Sequence, residues 1–276
     1  MTPPAARQVI AILVDEGLSV RRACQVASLA RAAYYRPLQD RLDRDAEIIT
    51  ALTALVAELP QWGFGLCFLH LRNAGHRWNR KRVLRVYRQL RLHLPRRAKK
   101  RVPTRVRQPL DAPAILNRVW GVDFMSNQLY TGPRFRTMNV LDEGNREALA
   151  VEVAWSFPAV RVVAILDQLV AIHGAPNALR LDNGPEWISE AVRAWAAQHG
   201  VRLLFIQPGK PTQNAYIERF NGTYREEVLD AYIFGSLADV RYETERWLPI
   251  YNLRRPHESL GGVPPLTFLP RPAIAA

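Results

Sequence analysis

"LRLDNGPEWISEAV" (residues 179–192) runs an apolar stretch, Leu179 to Leu181, into Asp182, and Asn183, Gly184 and Pro185 then form a turn cluster that no strand ladder can continue. The pattern predicts a buried strand ending on an acid, with a helix beginning near Trp187. Asp182 has two readings. It could cap that helix, as Asp and Asn commonly do, or it could be an acid delivered to a site by the end of a strand. Residues elsewhere decide between them.

Outward from this stretch the pattern alternates. Upstream, "RVWGVDFM", "RFRTMNVLD" and "EALAVEVAW" are apolar-rich runs separated by short polar turns, which predict an antiparallel meander. A helix over 159–173, a strand over 178–182, a helix over 188–199, a strand over 201–206 and a longer helix from about Asn214 to Leu229 follow. Strand order β-β-β-α-β-α-β-α is an α/β sheet with helices on its faces.

Charge divides the chain differently. The net charge is +13, yet residues 1–107 carry +15 and residues 108–276 carry −2. From Leu59 to Leu110 there is no carboxylate, and "NRKRVLRVYRQLRLHLPRRAKKRVPTRVR" lies within that span. A field of one sign on this scale is the footprint of a polyanion, and nucleic acid is the expected partner. A basic membrane-surface helix is disfavoured, because the stretch lacks a bulky Trp/Phe face. No run approaches the roughly 18 apolar residues of a membrane span, and the N-terminal "MTPPAARQVIAILVDEG" meets acids where an export signal would have its cleavage site. Cys24 and Cys67 are too few for a disulfide framework, so a cytoplasmic, nucleoid-associated location is expected. Cys67, His70 and His76 could suggest zinc, but packing is the better account of them, since the second cysteine of a closed site is missing.

Five sections are expected: a helix-turn-helix-like segment over 1–44, a second helical DNA-binding section over 45–94, a Pro/Arg-rich linker over 95–113, the α/β core over 114–235 and a C-terminal helix and tail over 236–276. In the first, "LSVRRACQVASLARAAYYRP" reads as two short helices around Ser28 and Leu29, with Val20, Ala23, Cys24 and Ala27 inward. Its second helix would offer Arg31 and Arg36 to DNA. In the second section, a helix over 80–92 places Val83, Val86, Tyr87 and Leu90 inward and Arg82, Arg85 and Arg88 largely outward. Arg80, Lys81, Arg82 and Arg85 there, with Arg96, Arg97, Lys99, Lys100 and Arg101 in the linker, are the candidate phosphate contacts.

Asp182 now has company. Asp123 stands at the end of the first strand of the core, in "VWGVDFM", among apolar neighbours where an unpaired carboxylate is costly. Glu218 lies in "QNAYIERFNGTYREEVL", on a helix whose Ile217, Phe220, Tyr224 and Val228 form the buried stripe. Asn214, Glu218, Asn221 and Arg225 share the adjoining stripe and face a cleft. Three acids from three elements could meet at one point. The chemical reason to gather them is a hard divalent cation, which prefers carboxylate oxygen, substrate phosphate and water. Two such ions about 4 Å apart support in-line phosphoryl transfer.

Asp123, Asp182 and, after 35 intervening residues, Glu218 resemble the carboxylate triad of retroviral integrases and bacterial insertion-sequence transposases. The likeness is close to the downstream (OrfB) product of the insertion-sequence-three family and extends over nearly the whole chain. It is carried by "LSVRRAC…YYR", "GFGLCFLHLRNAGHRWNRKRV", "VWGVDFM", "NVLDEGNREALAVEV", "LRLDNGPEW", "IQPGKPTQNAYIERFNGTYREEVL" and "YNLRRPHESLGGVPP" in order. The resemblance implies a ribonuclease-H-like mixed sheet with flanking helices, preceded by all-α helix-turn-helix-like DNA-binding sections. It further implies two Mg²⁺, replaceable by Mn²⁺, on Asp123, Asp182 and Glu218, with nicking and strand transfer at element ends through a circular intermediate. The implied partners are double-stranded DNA, both element ends and target, the upstream OrfA product as a frameshift fusion, and further copies of the chain in a synaptic complex. Asp142-Glu143 stands where members commonly have two Asp, a change that keeps both charges, and the zinc domain of retroviral integrases has no counterpart.

Other residues carry paired readings. Lys210, Gln213 and Asn214 occupy a Gly/Pro loop suited to a DNA end or simply to solvent, and Arg225 extends the cleft stripe. Glu186 could reach a metal, although an acid in the first turn of a helix is better explained by the helix dipole. His257 could be a base, but a structural role for Tyr251, Asn252, Pro256 and His257, or phosphate contact by Arg254 and Arg255, fits better. Two other functional classes remain: a DNA-binding repressor with an inactive core, and a ribonuclease-H-type nuclease.

Overall fold

The computed structural model describes residues 3–36, 41–95, 114–184, 186–207 and 214–271, in two compact units, Met1–Ala51 and Leu52–Ala276.

The first unit contains α1 (Pro3–Asp15), α2 (Val20–Val26), α3 (Arg31–Tyr35) and the start of α4 (Arg41–Glu58). Ala6 and Ile10 of α1 pack on Ala23, Cys24 and Ala27, the inward stripe that helical spacing predicts. Helix α1 is an addition to the two-helix reading: "PPAARQVIAILVD" has an apolar face whose inward members, Ala6 and Ile10, are small or few. The turn between α2 and α3 puts Ser28 at φ 52°, and the Arg7 guanidinium holds α3 from behind by donating to the carbonyls of Ala33 and Arg36.

In the second unit, α5 (Phe64–Asn73) and α6 (Arg80–Gln89) bury Cys67, Phe68 and Leu71 and Val83, Val86 and Tyr87. Asn79 caps α6 by accepting from the Lys81 amide at 2.8 Å. Helix α6 ends at Gln89, so Leu90 lies just beyond it and is only half-buried. Helix α5 and the last residue of α4 attach to the segment 254–262. Asn73 Nδ2 donates to the Gly262 carbonyl at 2.9 Å, and Glu58 receives the Arg254 guanidinium at 2.5 and 2.8 Å.

The sheet contains β1 (Trp120–Gln128), β2 (Arg134–Asp142), β3 (Ala148–Ala154), β4 (Ala178–Leu181) and β5 (Arg202–Phe205), in the order β3-β2-β1-β4-β5. The first three are antiparallel neighbours, while β4 runs parallel to β1 and β5 parallel to β4. Helices α7 (Ala159–His173) and α8 (Glu190–Gln198) supply the connections that parallel strands require. Strand alternation then sorts the two cores. Trp120, Val122, Met138 and Val140 pack with α7 and α8 on one face. Met125, Phe135, Leu141 and Val153 pack on the other against α9 (Ala215–Tyr224), a π turn over Arg225–Leu229 and α10 (Leu237–Pro249). Helix α11 (Pro265–Phe268) follows, and among the described residues no helix is long and apolar enough to cross a membrane.

A buried polar layer closes the far end of the sheet. Arg271 reaches Glu147 at 2.5 Å, Asp142 at 2.7 Å and Asn117 at 2.9 Å, while Arg180 grips Glu143 with two hydrogen bonds of 2.7 and 3.2 Å. Both charges of the Asp142-Glu143 pair are thus used inside the fold.

Candidate active site

Strand β1 alternates Trp120, Val122 and Phe124 toward α7 and α8, so Asp123 faces α9 together with Gly121 and Met125. Asp123 is in mid-strand and not at a strand end as the sequence predicts, because β1 stays paired with β2 as far as Gln128↔Arg134. Asp182 follows immediately on Leu181, the last residue of β4, which is paired in parallel next to β1. Glu218 is exposed in the first turn of α9, whose Ile217, Phe220 and Tyr224 are buried. Sheet order therefore brings three acids far apart in sequence near one another, over the middle of β1 and the end of β4.

Their electrostatics register that proximity. Burial first, and then the charges of Asp182 and Glu218, push Asp123 up to about 6, against the opposing pull of hydrogen bonds from the Phe124 amide and from Asn221. Among the described residues none of the three acids makes an ion pair, and no three His, Cys, Asp or Glu side chains converge tightly enough to grip one ion. The donor set nevertheless fits a hard divalent cation: it is all carboxylate oxygen, paired with no cation among the described residues, with an acid whose ionised form is disfavoured until positive charge arrives.

The Asp123 carboxylate is oriented by a chain that sequence reasoning only half found. Asn221 Nδ2 donates to Asp123 Oδ2 at 2.7 Å, and Asn221 Oδ1 accepts from Asn139 Nδ2 at 2.7 Å. The other carboxylate oxygen accepts from the Phe124 amide at 2.8 Å. Asn221 is on the predicted cleft stripe. Asn139 was missed, although it is the one amide in the apolar run "TMNVLD", because only the register Asp123↔Asn139 reveals its partner.

The loop after β4 is equally constrained. The Gly184 amide donates to Asp182 Oδ1 at 3.0 Å, and a Cβ at Gly184 would lie 2.9 Å from that oxygen and 3.1 Å from Glu186 Oε2. A side chain there would have to push the Asp182 carboxylate aside. Glu186 precedes α8 and is not in its first turn, so the dipole reading fails; its partner is the Arg136 guanidinium. Against partial burial, which works upward, that hydrogen bond holds Glu186 below the usual carboxylate range.

Other predicted positions resolve in different ways. Arg31, Arg36, Arg80 and Lys81 are exposed, whereas Arg82, Arg85 and Arg225 are half-buried. Asn214 is 4% exposed and stands at the packed start of α9, where the helical reading put it and not in the solvated loop of the other reading. Arg96, Arg97, Lys99, Lys100, Arg101, Lys210 and Gln213 lie outside the described residues. Arg254 pairs with Glu58, and Arg255 with Glu227 at 2.8 Å, so these two are structural cations, a correction to their reading as phosphate contacts. Burial, and then the Arg255 charge, push His257 down to about 3, leaving an imidazole too weakly basic to serve at neutral pH. Cys67 and His70 are packing residues: burial raises the thiol to about 11, its hydrogen faces the Trp62 carbonyl at 3.5 Å, and His70 Nδ1 meets the Arg254 carbonyl at 3.1 Å.

Three antiparallel strands continued by two parallel ones in the order 3-2-1-4-5, with acids on the central strand, on its parallel neighbour and on the helix above them, define a ribonuclease-H-like core. Family models described as integrase core domain match residues 114–211 and 199–265. The insertion element IS476 uncharacterized 39.2 kDa protein of Xanthomonas euvesicatoria is 38% identical over 97% of this chain and 78% of its own length. The insertion element IS407 uncharacterized 31.7 kDa protein of Burkholderia multivorans is 36% identical over 94% of this chain and 93% of its own. The HTLV-2 integrase catalytic core domain in complex with magnesium is 16% identical, with a TM-score of 0.46 over 57% of this chain and 97% of that one. The chain belongs to the integrase-core transposases of bacterial insertion elements, enzymes of the polynucleotidyl transferase type that act in DNA transposition.

Proposed function

We propose that Asp123, Asp182 and Glu218 form the active site of a magnesium-dependent enzyme that nicks DNA at the ends of an insertion element and joins the freed strand to a second phosphodiester. The observation that carries this reading is Asp123. It is an acid pushed up to about 6 by burial and by two neighbouring acids, with no cation paired to it among the described residues and with a carboxylate oriented from two sides. Such an arrangement is costly for the fold alone and makes sense when it serves chemistry.

In the nicking step a water oxygen attacks phosphorus, the bond from phosphorus to the 3′ oxygen breaks, and that oxygen takes a proton to become a 3′-hydroxyl. In the joining step the 3′-hydroxyl oxygen attacks another phosphorus, loses its proton and displaces a second 3′ oxygen. Two Mg²⁺, or Mn²⁺, held by Asp123, Asp182 and Glu218 would supply positive charge to the attacking and leaving oxygens. Asn221 and the Phe124 amide fix the Asp123 oxygens, the Gly184 amide fixes Asp182, and exposed Glu218 presents its carboxylate to the DNA side. Arg31, Arg36, Arg80 and Lys81, with the basic residues over 96–101, hold phosphates.

Asp182→Asn tests the reading. Nicking and joining of labelled element ends in Mg²⁺ should be lost together, with the fold and DNA binding retained. Joining above background in that variant overturns the assignment. Binding without any chemistry in the unmodified chain would mark a repressor, and cleavage confined to RNA–DNA hybrids a ribonuclease.

End recognition by this reading depends on the upstream OrfA portion and on at least two copies in a synaptic complex. Non-specific phosphate contacts reach only about 10⁻⁴ to 10⁻⁶ M. In band-shift competition the isolated chain should distinguish its own ends poorly from scrambled DNA, and the fusion should distinguish them well. A preference by the isolated chain of about a hundredfold, or 2.7 kcal/mol, overturns that dependence.

A further inference from the structure

The two strands that carry Asp123 and Asp182 share few backbone pairs: β1 meets β4 only at Trp120↔Leu179 and Gly121↔Arg180, short of either acid. What joins the acid-bearing ends is a side-chain stack. Trp187, fully buried, lies on Phe124 at 4.8 Å between ring centroids with planes 22° apart. The Arg136 guanidinium sits 4.5 Å from the centroid of the same Phe124 ring and donates to Glu186 Oε1. Phe124 follows Asp123 directly and donates its amide to that carboxylate. Glu186 and Trp187 follow Asp182 closely, the Trp187 amide bonding to the Gly184 carbonyl at 3.1 Å and the Ser189 hydroxyl to the Glu186 carbonyl at 2.9 Å.

Without a cation on Glu186, its second oxygen would be a further negative charge beside Asp182, since Oε2 and Asp182 Oδ1 both lie about the edge of Gly184. Arg136 is therefore placed to do two things at once. It ties the β4 loop to β1 through a cation–π contact and an ion pair, and it neutralises Glu186 where that acid stands beside Asp182.

We propose that Arg136 is a positioning residue for the carboxylate site: by clamping Glu186 while stacked on Phe124, it sets Asp182 against Asp123 and offsets the charge that Glu186 brings beside Asp182. The inference rests on the reading of Asp123, Asp182 and Glu218 given above. Arg136 touches neither Asp123 nor Asp182 directly, so its loss acts through Glu186 and the stack.

The test compares Arg136→Ala, Arg136→Lys and Glu186→Gln in the full chain by three measurements: strand joining in Mg²⁺, Mn²⁺ binding to the DNA-free protein by electron paramagnetic resonance, and band shifts in chelator. Arg136→Ala should lower joining by about tenfold or more, as displacement of a site by a fraction of an ångström does. It should also weaken Mn²⁺ binding severalfold and leave DNA affinity within about twofold, the change expected when no phosphate contact is lost. Arg136→Lys, which keeps a charge opposite Glu186, should recover most of the loss. Normal joining and normal Mn²⁺ binding in Arg136→Ala overturn the proposal, and so does a fall in DNA affinity matching the fall in joining with Mn²⁺ binding unchanged. Should Arg136→Ala fail to fold, Glu186→Gln decides, because unaltered Mn²⁺ binding there also overturns it. Asp182→Asn, run alongside, separates the two readings: if it still joins, the carboxylate assignment has failed, and if it is inactive while Arg136→Ala is normal, only the role of Arg136 has.

Discussion

Asp123→Asn should make the protein more stable and inactive. The folded chain holds the Asp123 proton up to about pH 6, and the unfolded chain releases it near 3.8, so the folded state binds more protons between those values and stability falls as pH rises through that window. At 1.36 kcal/mol per pH unit, the ionised acid costs the metal-free fold about 3 kcal/mol above pH 6. Asparagine removes the charge with almost no change in shape. Its amide would then meet the donor of Asn221, but the chain can reverse: Asn221 Oδ1 turns to accept from residue 123, and Asn139 turns its Oδ1, which now has no partner, to accept from Asn221. The hydrogen-bond cost is therefore small. For a unit of this size about 3 kcal/mol corresponds to a rise of roughly 5–10 °C in melting temperature.

The assay is thermal unfolding in chelator from pH 4 to pH 8, followed by tryptophan fluorescence, since Trp120 and Trp187 are buried in the same unit. The variant should exceed the parent by several degrees at pH 8 and converge with it near pH 4. Adding Mg²⁺ should then stabilise the parent, by about 2.7 kcal/mol at a hundredfold excess over the dissociation constant, and leave the variant unmoved. Equal melting temperatures at pH 8 in chelator would refute the account of Asp123 as an acid held against its preference.

Further predictions concern the supports of the site. Gly184→Ala puts a Cβ 2.9 Å from Asp182 Oδ1, so it should shift that carboxylate and cut joining by about a hundredfold with little change in melting temperature; undiminished joining would show that the close approach is slack. Arg271→Ala strands two buried acids, Asp142 and Glu147, and should cost about 3–5 kcal/mol in urea unfolding at neutral pH; a loss below about 1 kcal/mol, the worth of an exposed pair, would mean that the layer is solvated. Neutralising Lys99, Lys100 and Arg101 together should weaken binding to every DNA sequence alike and lower the salt slope by about 0.9 per lost phosphate contact; an unchanged slope would make this stretch a tether.

Much of the core was legible because its signals are local. Alternation with period 2 marked β1, β2 and β3, helical periodicity marked α7 and the Ile217, Phe220, Tyr224 and Val228 stripe, and an acid following a buried strand into a turn marked Asp182. Asp123 and Asp182 stood out because each interrupts an apolar run, Glu218 shares the polar stripe of its helix, and the resemblance to the integrase-type triad tied the three together.

Partnership was another matter. That Asp123 sits in mid-strand opposite Asn139 follows from the β1–β2 register, which the packing of whole faces sets and no single run reveals. Arg136 looks like any outward cation on a strand until the fold brings Glu186, 50 residues away, against it. Arg254 and Arg255 read as phosphate contacts until Glu58 and Glu227 arrive beside them. A charge declares its sign in the sequence, but whether it is spent inside the protein or left for DNA depends on which distant group shares its surroundings, and only tertiary packing decides that.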